Sequence, residues 1–338
     1  MIDTAKRVTT VRGEEDLFKT KRRKRWVISG LVALTLLVTA SIVASNFFYN
    51  LAIKREVKTF LQDNDDLVVS AETMDVFLTG SWRSWFNQMD FEPMQTESFD
   101  GLELNGYFLE AEEPTNKTVI FAHGYLGKAR DMALYGQYYY EDLGYNIFTA
   151  DLRGHGESEG DYIGFGWHDR LDYLDWIDTI IEKQGPDTEI ILHGLSMGGS
   201  TVLMTSGEEL PAQVKAVVAD SPFSSTYDLF SYQMEQMFNL PAFPLLPMTS
   251  MVTEIRADYS FYEASALDQV KKADVPILYL HGGSDTFVPT RMAMELYEET
   301  SSEAEIEIFE NASHGEAIVM YEEEYIDRLY SFIEKHME

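Results

Sequence analysis

Six short apolar runs, set apart by stretches of helical periodicity, limit most of this chain to an α/β architecture. The runs cover residues 118–122, 146–150, 189–193, 214–219, 276–280 and 305–309. Each is too short for an ordinary helix and reads as a strand buried on both faces rather than one. Helical patterns begin near Lys128, Trp167, Met197, Thr290 and Glu316. Strands alternating with helices in this way imply a mostly parallel sheet covered on both sides. Upstream, residues 97–110 alternate about Asp100-Gly101, a hairpin signal that adds antiparallel strands at one edge. Residues from about 223 to 267 break the rhythm with Pro241, Pro244 and Pro247 among Met and Phe. A connection this long is expected to carry structure of its own, and we read it as a small cap over the carboxyl edge of the sheet.

The N-terminal part obeys different rules. Lys21-Arg22-Arg23-Lys24-Arg25 precedes 28 uncharged residues, Trp26 onward to Ile53. Residues 26–49 are apolar over roughly the ~20 residues needed to cross a bilayer, with Trp26 at one end and Phe47, Phe48 and Tyr49 at the other. The positive-inside bias keeps the basic cluster cytoplasmic and puts the remainder outside the cell. A cleaved signal peptide is the rival reading, with Val43-Ala44-Ser45 as its cleavage site, but its apolar core is usually only ~7–15 residues. The expected organisation is a basic cytoplasmic tail over 1–25, a single transmembrane helix over 26–49, a helical stem over 50–93 and a catalytic domain over 94–338. The first 20 residues are polar and are expected to be disordered. In the stem, Trp82, Trp85 and Phe86 mark a buried side.

Charge restricts the partners. The net charge is −31, and residues 1–49 hold 9 of the 26 Lys and Arg but only 4 of the 57 Asp and Glu. Everything beyond residue 49 is therefore strongly acidic and is expected to repel nucleic acid and anionic surfaces. The chain has no cysteine, so disulfides and thiolate metal sites are excluded. No His-Glu-x-x-His or similar spacing points to a metal, and no cofactor is expected.

The chemistry centres on residues 190–199, Ile-Ile-Leu-His-Gly-Leu-Ser-Met-Gly-Gly, a strand, a sharp turn and a helix start. Gly194-x-Ser196-x-Gly198 puts a serine at the apex of a strained turn, where neighbours with side chains would clash. Gly156-Glu157-Ser158-Glu159-Gly160 has the same spacing. It does not lie between an apolar strand and a helix, and two glutamates flank Ser158 where an oxyanion would develop. Ser196 is the candidate nucleophile. A serine hydroxyl needs a base, and the base needs a partner to fix its tautomer. Asp285 follows the apolar run 276–280 in a Gly-Gly turn, and His314 follows the last run, giving the chain order Ser, Asp, His. Asp220 is a second candidate acid. His123, His155, His193 and His281 also precede glycine but stand earlier in the chain than the base should. The backbone N–H groups of Tyr125, after the first run, and of Met197 are placed to receive a developing oxyanion.

Taken together, His123-Gly124, the Asp151-to-Ser158 stretch, the Gly194-to-Gly199 turn, Asp285 and His314 resemble the α/β-hydrolase superfamily, nearest its serine aminopeptidase-like and esterase branch with bacterial membrane-anchored members. The resemblance covers roughly residues 94–337. It implies the α/β-hydrolase fold with an eight-stranded, mostly parallel sheet, a Ser196–His314–Asp285 triad, oxyanion donors at Tyr125 and Met197, and a structural role for the loop holding Ser158. The expected activity is hydrolysis of a carboxylic ester through an acyl-enzyme, on a small-molecule or peptide acyl substrate. A serine peptidase of aminopeptidase type and a non-catalytic binding domain on a hydrolase scaffold are the alternatives. The sequence leaves the oligomeric state open.

Overall fold

A computed structural model describes residues 2–56 and 71–337; the part of the expected stem between them lies outside the described residues. The sheet has eight strands: β1 (Glu92–Glu97), β2 (Glu103–Leu109), β3 (Lys117–Ala122), β4 (Asn146–Ala150), β5 (Glu189–Leu195), β6 (Val214–Asp220), β7 (Ile277–Gly282) and β8 (Ala304–Phe309). Their spatial order is β1-β2-β4-β3-β5-β6-β7-β8. β2 pairs antiparallel with both β1 and β4, and the pairs from β4 to β8 are parallel. The six apolar runs thus fall on β3 to β8, and the alternating segment forms the edge hairpin. This is the α/β-hydrolase fold that the motifs implied.

The reason for continuous apolar runs is visible in the packing. Side chains alternate across a strand, and here both faces are covered. Ile120, Ile190, Leu192, Val217 and Tyr279 enter one core, while Val119, Phe121, Ile191, Val218 and Leu280 enter the other. The first core is closed by α5 (Asp169–Gln184), α6 (Met197–Ser206) and α10 (Arg291–Glu299). The second is closed by α4 (Ala133–Glu141), α11 (Ala317–Met320) and α12 (Glu322–His336), with α3 (Ser81–Gln88) adding buried Trp82 and Trp85. α2 (Ala71–Thr79) lies beside α11.

The insertion between β6 and β7 folds as α7 (Thr226–Phe238), α8 (Leu245–Ala257) and the short α9 (Ala266–Val270). Ser225 caps α7 by accepting the Asp228 N–H, and Ser265 does the same for α9 through Asp268.

The N-terminal helix α1 spans Ile2–Phe48. It begins upstream of the basic cluster rather than at Trp26. No proline interrupts residues 1–48, and once an apolar helix is nucleated, each further residue adds a hydrogen bond at little cost. The residues directly after it pack on the hydrolase unit. A π-helical turn, Tyr49–Ile53, delivers Ile53 fully buried into the first core. The Ile53 carbonyl accepts the Ile163 N–H at 2.7 Å, and the Arg55 N–H donates to the Asp161 carbonyl at 2.8 Å. The Arg55 guanidinium reaches the carbonyls of Ser158 and Gly156 at 2.7 and 2.8 Å. This stretch belongs to the body of the hydrolase unit.

Candidate active site

Parallel strands put their carboxyl ends on one edge, and the loops leaving β5, β7 and β8 there carry Ser196, Asp285 and His314. Ser196 has φ 56° and ψ −115°, a left-handed backbone that a serine adopts only under constraint. The constraint is steric. A β-carbon at Gly194 would lie 2.1 Å from the Gly198 carbonyl oxygen, and one at Gly198 would lie 2.0 Å from the Ala122 carbonyl oxygen. Only glycines let α6 turn back this tightly over β5 and press against the end of β3. The Ser196 N–H donates to the Asp220 carbonyl at 2.7 Å, pinning the turn to β6.

The loops after β7 and β8 are laced to each other. Gly283 N–H donates to the Phe309 carbonyl at 2.8 Å and Ser284 N–H to the Ala312 carbonyl at 3.0 Å. A β-carbon at Gly282 would meet the Ala312 oxygen at 2.4 Å, so the close approach of the two loops requires that glycine.

These loops bring three groups into line. His314 Nε2 is 2.8 Å from Ser196 Oγ, and His314 Nδ1 is 2.7 Å from Asp285 Oδ2. The other carboxylate oxygen, Oδ1, accepts the N–H groups of Phe287 and Val288 at 2.9 and 2.8 Å. Burial favours the neutral acid at Asp285, but the His314 and His281 imidazoles outweigh it and hold the carboxyl well below the usual carboxylate range. Burial likewise opposes charge on His314, and the Asp285 carboxylate overcomes it, raising the imidazole above its ordinary value.

His281, set aside as a base by its place in the chain, has a role that the sequence did not assign. Its Nε2 donates to the Val288 carbonyl at 2.8 Å and lies 3.3 Å from Asp285 Oδ2, so it holds the acid from behind. The signal was its position four residues before Asp285 across a Gly-Gly turn. The remaining glycine-preceding histidines are structural. His123 Nε2 accepts the Leu152 N–H and its Nδ1 bonds the Gly124 carbonyl. Burial pushes His123 down to about 4 and His155 and His193 to about 3.

The other candidates fall outside the line. Asp220 is fully buried and accepts from Tyr135, Tyr325 and Ser221 hydroxyls. Ser158 is buried too, donating to the Asp151 carbonyl at 2.5 Å and accepting the Asn105 N–H at 2.9 Å. Its loop is organised by Arg153, fully buried and paired with Asp172 at 2.6 Å and Asp100 at 2.9 Å. Among the described residues, Glu303, Glu305 and His336 bring ligand atoms within 4.8 Å of one another. They lie by the amino end of β8, opposite the triad edge, and Lys335 already pairs with both glutamates.

Two features flank the hydroxyl. The loop after β3 packs against it, with a β-carbon built on Gly124 falling 3.5 Å from Ser196 Cβ. Among the described residues, neither the Tyr125 nor the Met197 N–H finds a protein acceptor. Beside them opens a cleft, about 410 Å³ of empty space counting its solvent-open mouth, with Ser196 and Met197 at one end and Phe165, Phe223, Phe230 and Phe287 among its walls. The aromatics come from the cap and neighbouring loops, and no single local pattern in the sequence groups them. The Tyr125 hydroxyl turns away and donates to the Ala52 carbonyl at 2.8 Å.

Comparison with known proteins agrees with this fold. The sequence profile of the prolyl oligopeptidase family matches residues 132–338. The chain is 27% identical over 307 residues to the uncharacterized protein YqkD of Bacillus subtilis, covering 90% of this chain and 96% of that one. It is 24% identical over 252 residues to the uncharacterized protein YfhR of Escherichia coli K12, covering 71% and 81%. Among solved structures, the Pyrococcus furiosus esterase Pf2001 superposes with a TM-score of 0.60 at 23% identity, over 75% of this chain and 96% of that one. The Pyrococcus horikoshii acylaminoacyl peptidase superposes with a TM-score of 0.55 at 20% identity, over 75% of this chain and 43% of the peptidase.

Proposed function

Since the chain belongs to the prolyl oligopeptidase family and is a serine hydrolase of the α/β-hydrolase type, we propose that it cleaves carboxylic esters with Ser196 as nucleophile, His314 as general base and Asp285 as the orienting acid. The observation that carries this reading is the unbroken line Oγ–Nε2, Nδ1–Oδ2 at the mouth of an apolar cavity. His314 Nε2 takes the hydroxyl proton as Oγ attacks the ester carbonyl, and Asp285 stabilises the imidazolium. The N–H groups of Tyr125 and Met197 receive the oxyanion, each contributing about 3 kcal/mol in the transition state. The imidazolium then protonates the leaving alkoxide, and the acyl group stays on Ser196. Water, deprotonated by His314, releases the acid and restores the serine.

A peptidase using the same triad is the second reading, favoured by the family assignment and by the likeness to an acylaminoacyl peptidase. Recognition of a free amino terminus needs an anion. Among the described residues no Asp or Glu lines the cavity at Ser196, and the polar side chains in its lining are Gln233 and Ser196 itself, the Tyr125 hydroxyl being turned to Ala52. That lining supports an apolar acyl group, hence the ester. The test is a fluorophosphonate probe together with p-nitrophenyl esters and aminoacyl nitroanilides. Labelling that disappears in Ser196→Ala, with ester turnover, is the expected result. Turnover of the anilides alone makes the protein a peptidase, and no labelling of the folded chain makes it a binding domain.

An N-terminal apolar helix of membrane-anchor or signal-sequence character runs over Arg23–Ile53. We place it as a retained single-pass anchor, the basic end cytoplasmic and the hydrolase unit outside. Burial of Ser41, Ser45, Tyr49 and Ile53 against the hydrolase unit supports retention, because cleavage at Val43-Ala44-Ser45 would strip part of that contact. Protease protection of a tag on residue 1 in intact cells checks the orientation.

A further inference from the structure

The cap does not merely cover the site. Its helix α8 packs along the carboxyl end of α1, against the stripe of Ser41, Ser45, Tyr49 and Ile53, spaced four apart on one face. Between Ser41 and Tyr49 the helix rises about 12 Å. That stretch lies within the segment assigned to the bilayer, so the cap sits at the depth of the membrane surface or below it. Phe48 meets Phe238 of α7 with ring centroids 5.4 Å apart, and Arg256 of α8 lies over the Tyr49 ring at 4.9 Å. On the same cap, Met251 and Ile255, four residues apart on α8, are 60% and 81% exposed, and Phe243 just before α8 is 77% exposed. Large apolar side chains so exposed mark a surface meant to be covered, and the bilayer around α1 is the adjacent apolar medium.

A second cavity, about 430 Å³ of empty space counting its solvent-open mouth, lies under this part of the cap, lined by Phe48, Met237 and Leu246 among others. It shares two wall residues, Phe230 and Gln233, with the cavity at Ser196. Both are nearly all-apolar, one beside the anchor helix and one beside the nucleophile, and the side chains of Phe230 and Gln233 form the boundary between them; turning these aside would open a path from the helix to Ser196. We infer that the substrate is a long-chain acyl ester resident in the bilayer, drawn sideways under the cap so that its carbonyl reaches Ser196 and its chain lies along this path. The inference rests on the hydrolase reading above. The reaction is the same, with the acyl C–O bond broken, the alcohol released with a proton from His314, and water as co-reactant.

The experiment uses the full chain in phosphatidylcholine vesicles, which are zwitterionic because an acidic protein is repelled from anionic ones. The probes are p-nitrophenyl butanoate, decanoate and hexadecanoate. Each methylene that finds cover raises kcat/KM by up to about fourfold, so decanoate and hexadecanoate are expected to exceed butanoate by at least about tenfold. Met237→Trp, which fills the second cavity, is expected to lower the hexadecanoate-to-butanoate ratio by at least about tenfold. Met251→Glu combined with Ile255→Glu, at exposed sites that tolerate charge in the fold, is expected to lower that ratio by a similar factor for vesicle-borne ester. A flat or short-chain preference, or an unchanged ratio in the Met251/Ile255 pair, overturns the inference and leaves the hydrolase reading intact. Absence of all ester turnover together with absence of fluorophosphonate labelling overturns the hydrolase reading itself.

Discussion

Asp285→Asn is the sharpest probe of the proposed catalytic line, because the structure dictates how the amide must sit. Oδ1 of Asp285 accepts two backbone N–H groups, from Phe287 and Val288. The amide oxygen has to keep that place, since an NH2 there would face two donors. The NH2 is then turned toward His314 Nδ1 at the position of Oδ2, 2.7 Å away. It donates where the carboxylate accepted, so Nδ1 becomes the acceptor and the proton moves to Nε2. Nε2 then faces Ser196 Oγ with a hydrogen and can no longer take one. The charge is lost as well. An imidazolium and a carboxylate with centres about 4 Å apart attract by about 4 kcal/mol at an effective dielectric constant near 20. That alone is about 10³-fold in kcat, and the wrong tautomer adds to it. The pH profile gives an independent readout. In the parent, activity requires neutral His314 and falls as pH drops through an imidazole value raised by Asp285. Without the carboxylate, burial, the largest influence on the ring, is opposed by the Asp220 charge but no longer by Asp285, and the value falls, so the acid limb of the residual activity moves to lower pH. The assay is kcat/KM for p-nitrophenyl butanoate against pH, with thermal unfolding as a control for the fold. A loss of less than about tenfold with an unmoved acid limb would refute the assignment of Asp285.

The other expectations concern the parts around that line. Ser158→Ala should keep full fluorophosphonate labelling while lowering stability by about 1–3 kcal/mol, because the Asn105 N–H loses its acceptor; lost labelling at wild-type stability would make Ser158 the nucleophile instead. Arg153→Met leaves Asp172, its side chain only 4% exposed, as an unpaired buried charge, and should cost about 3–5 kcal/mol in urea unfolding. Gly198→Ala forces a β-carbon against the Ala122 carbonyl and should lower both the labelling rate of Ser196 and stability, the latter by at least about 1–3 kcal/mol. Wild-type labelling kinetics in that variant would show that the turn is looser than its geometry indicates.

Local signals carried much of the architecture. Runs such as Val119-Ile120-Phe121 are apolar at every position because each side of the strand meets a different core, and that is a statement about two faces which a one-dimensional string can hold. The turn at Ser196 was legible for a similar reason, since the glycines needed by its close contacts lie within two residues of it. Residues 49–55 were not legible as part of the hydrolase unit. Their partners, Gly156, Ser158, Asp161 and Ile163, lie about a hundred residues away, and nothing in the periodicity of an apolar helix announces that its end will be stitched to a distant loop. The part His281 plays was not legible because a buried histidine looks the same in sequence whether it only bonds a nearby carbonyl or also holds an aspartate. The aromatic walls of the cavity at Ser196 come from separate segments, residues 165, 223, 230 and 287, and meet only through the tertiary fold.

The stitched segment also decides where a water-soluble version of the enzyme can start. Trimming to residue 57 would discard Ile53, leaving a side-chain-sized void whose cost is about 2–5 kcal/mol, and would unfasten the Arg55 grip on the loop that holds Ser158. It would also deprive the Tyr125 hydroxyl of the Ala52 carbonyl. Starting ahead of Tyr49 keeps all three, at the expense of exposing Phe47 and Phe48 to water. For this hydrolase, releasing the catalytic unit from its helix and preserving the floor of its active site are competing demands on the same seven residues.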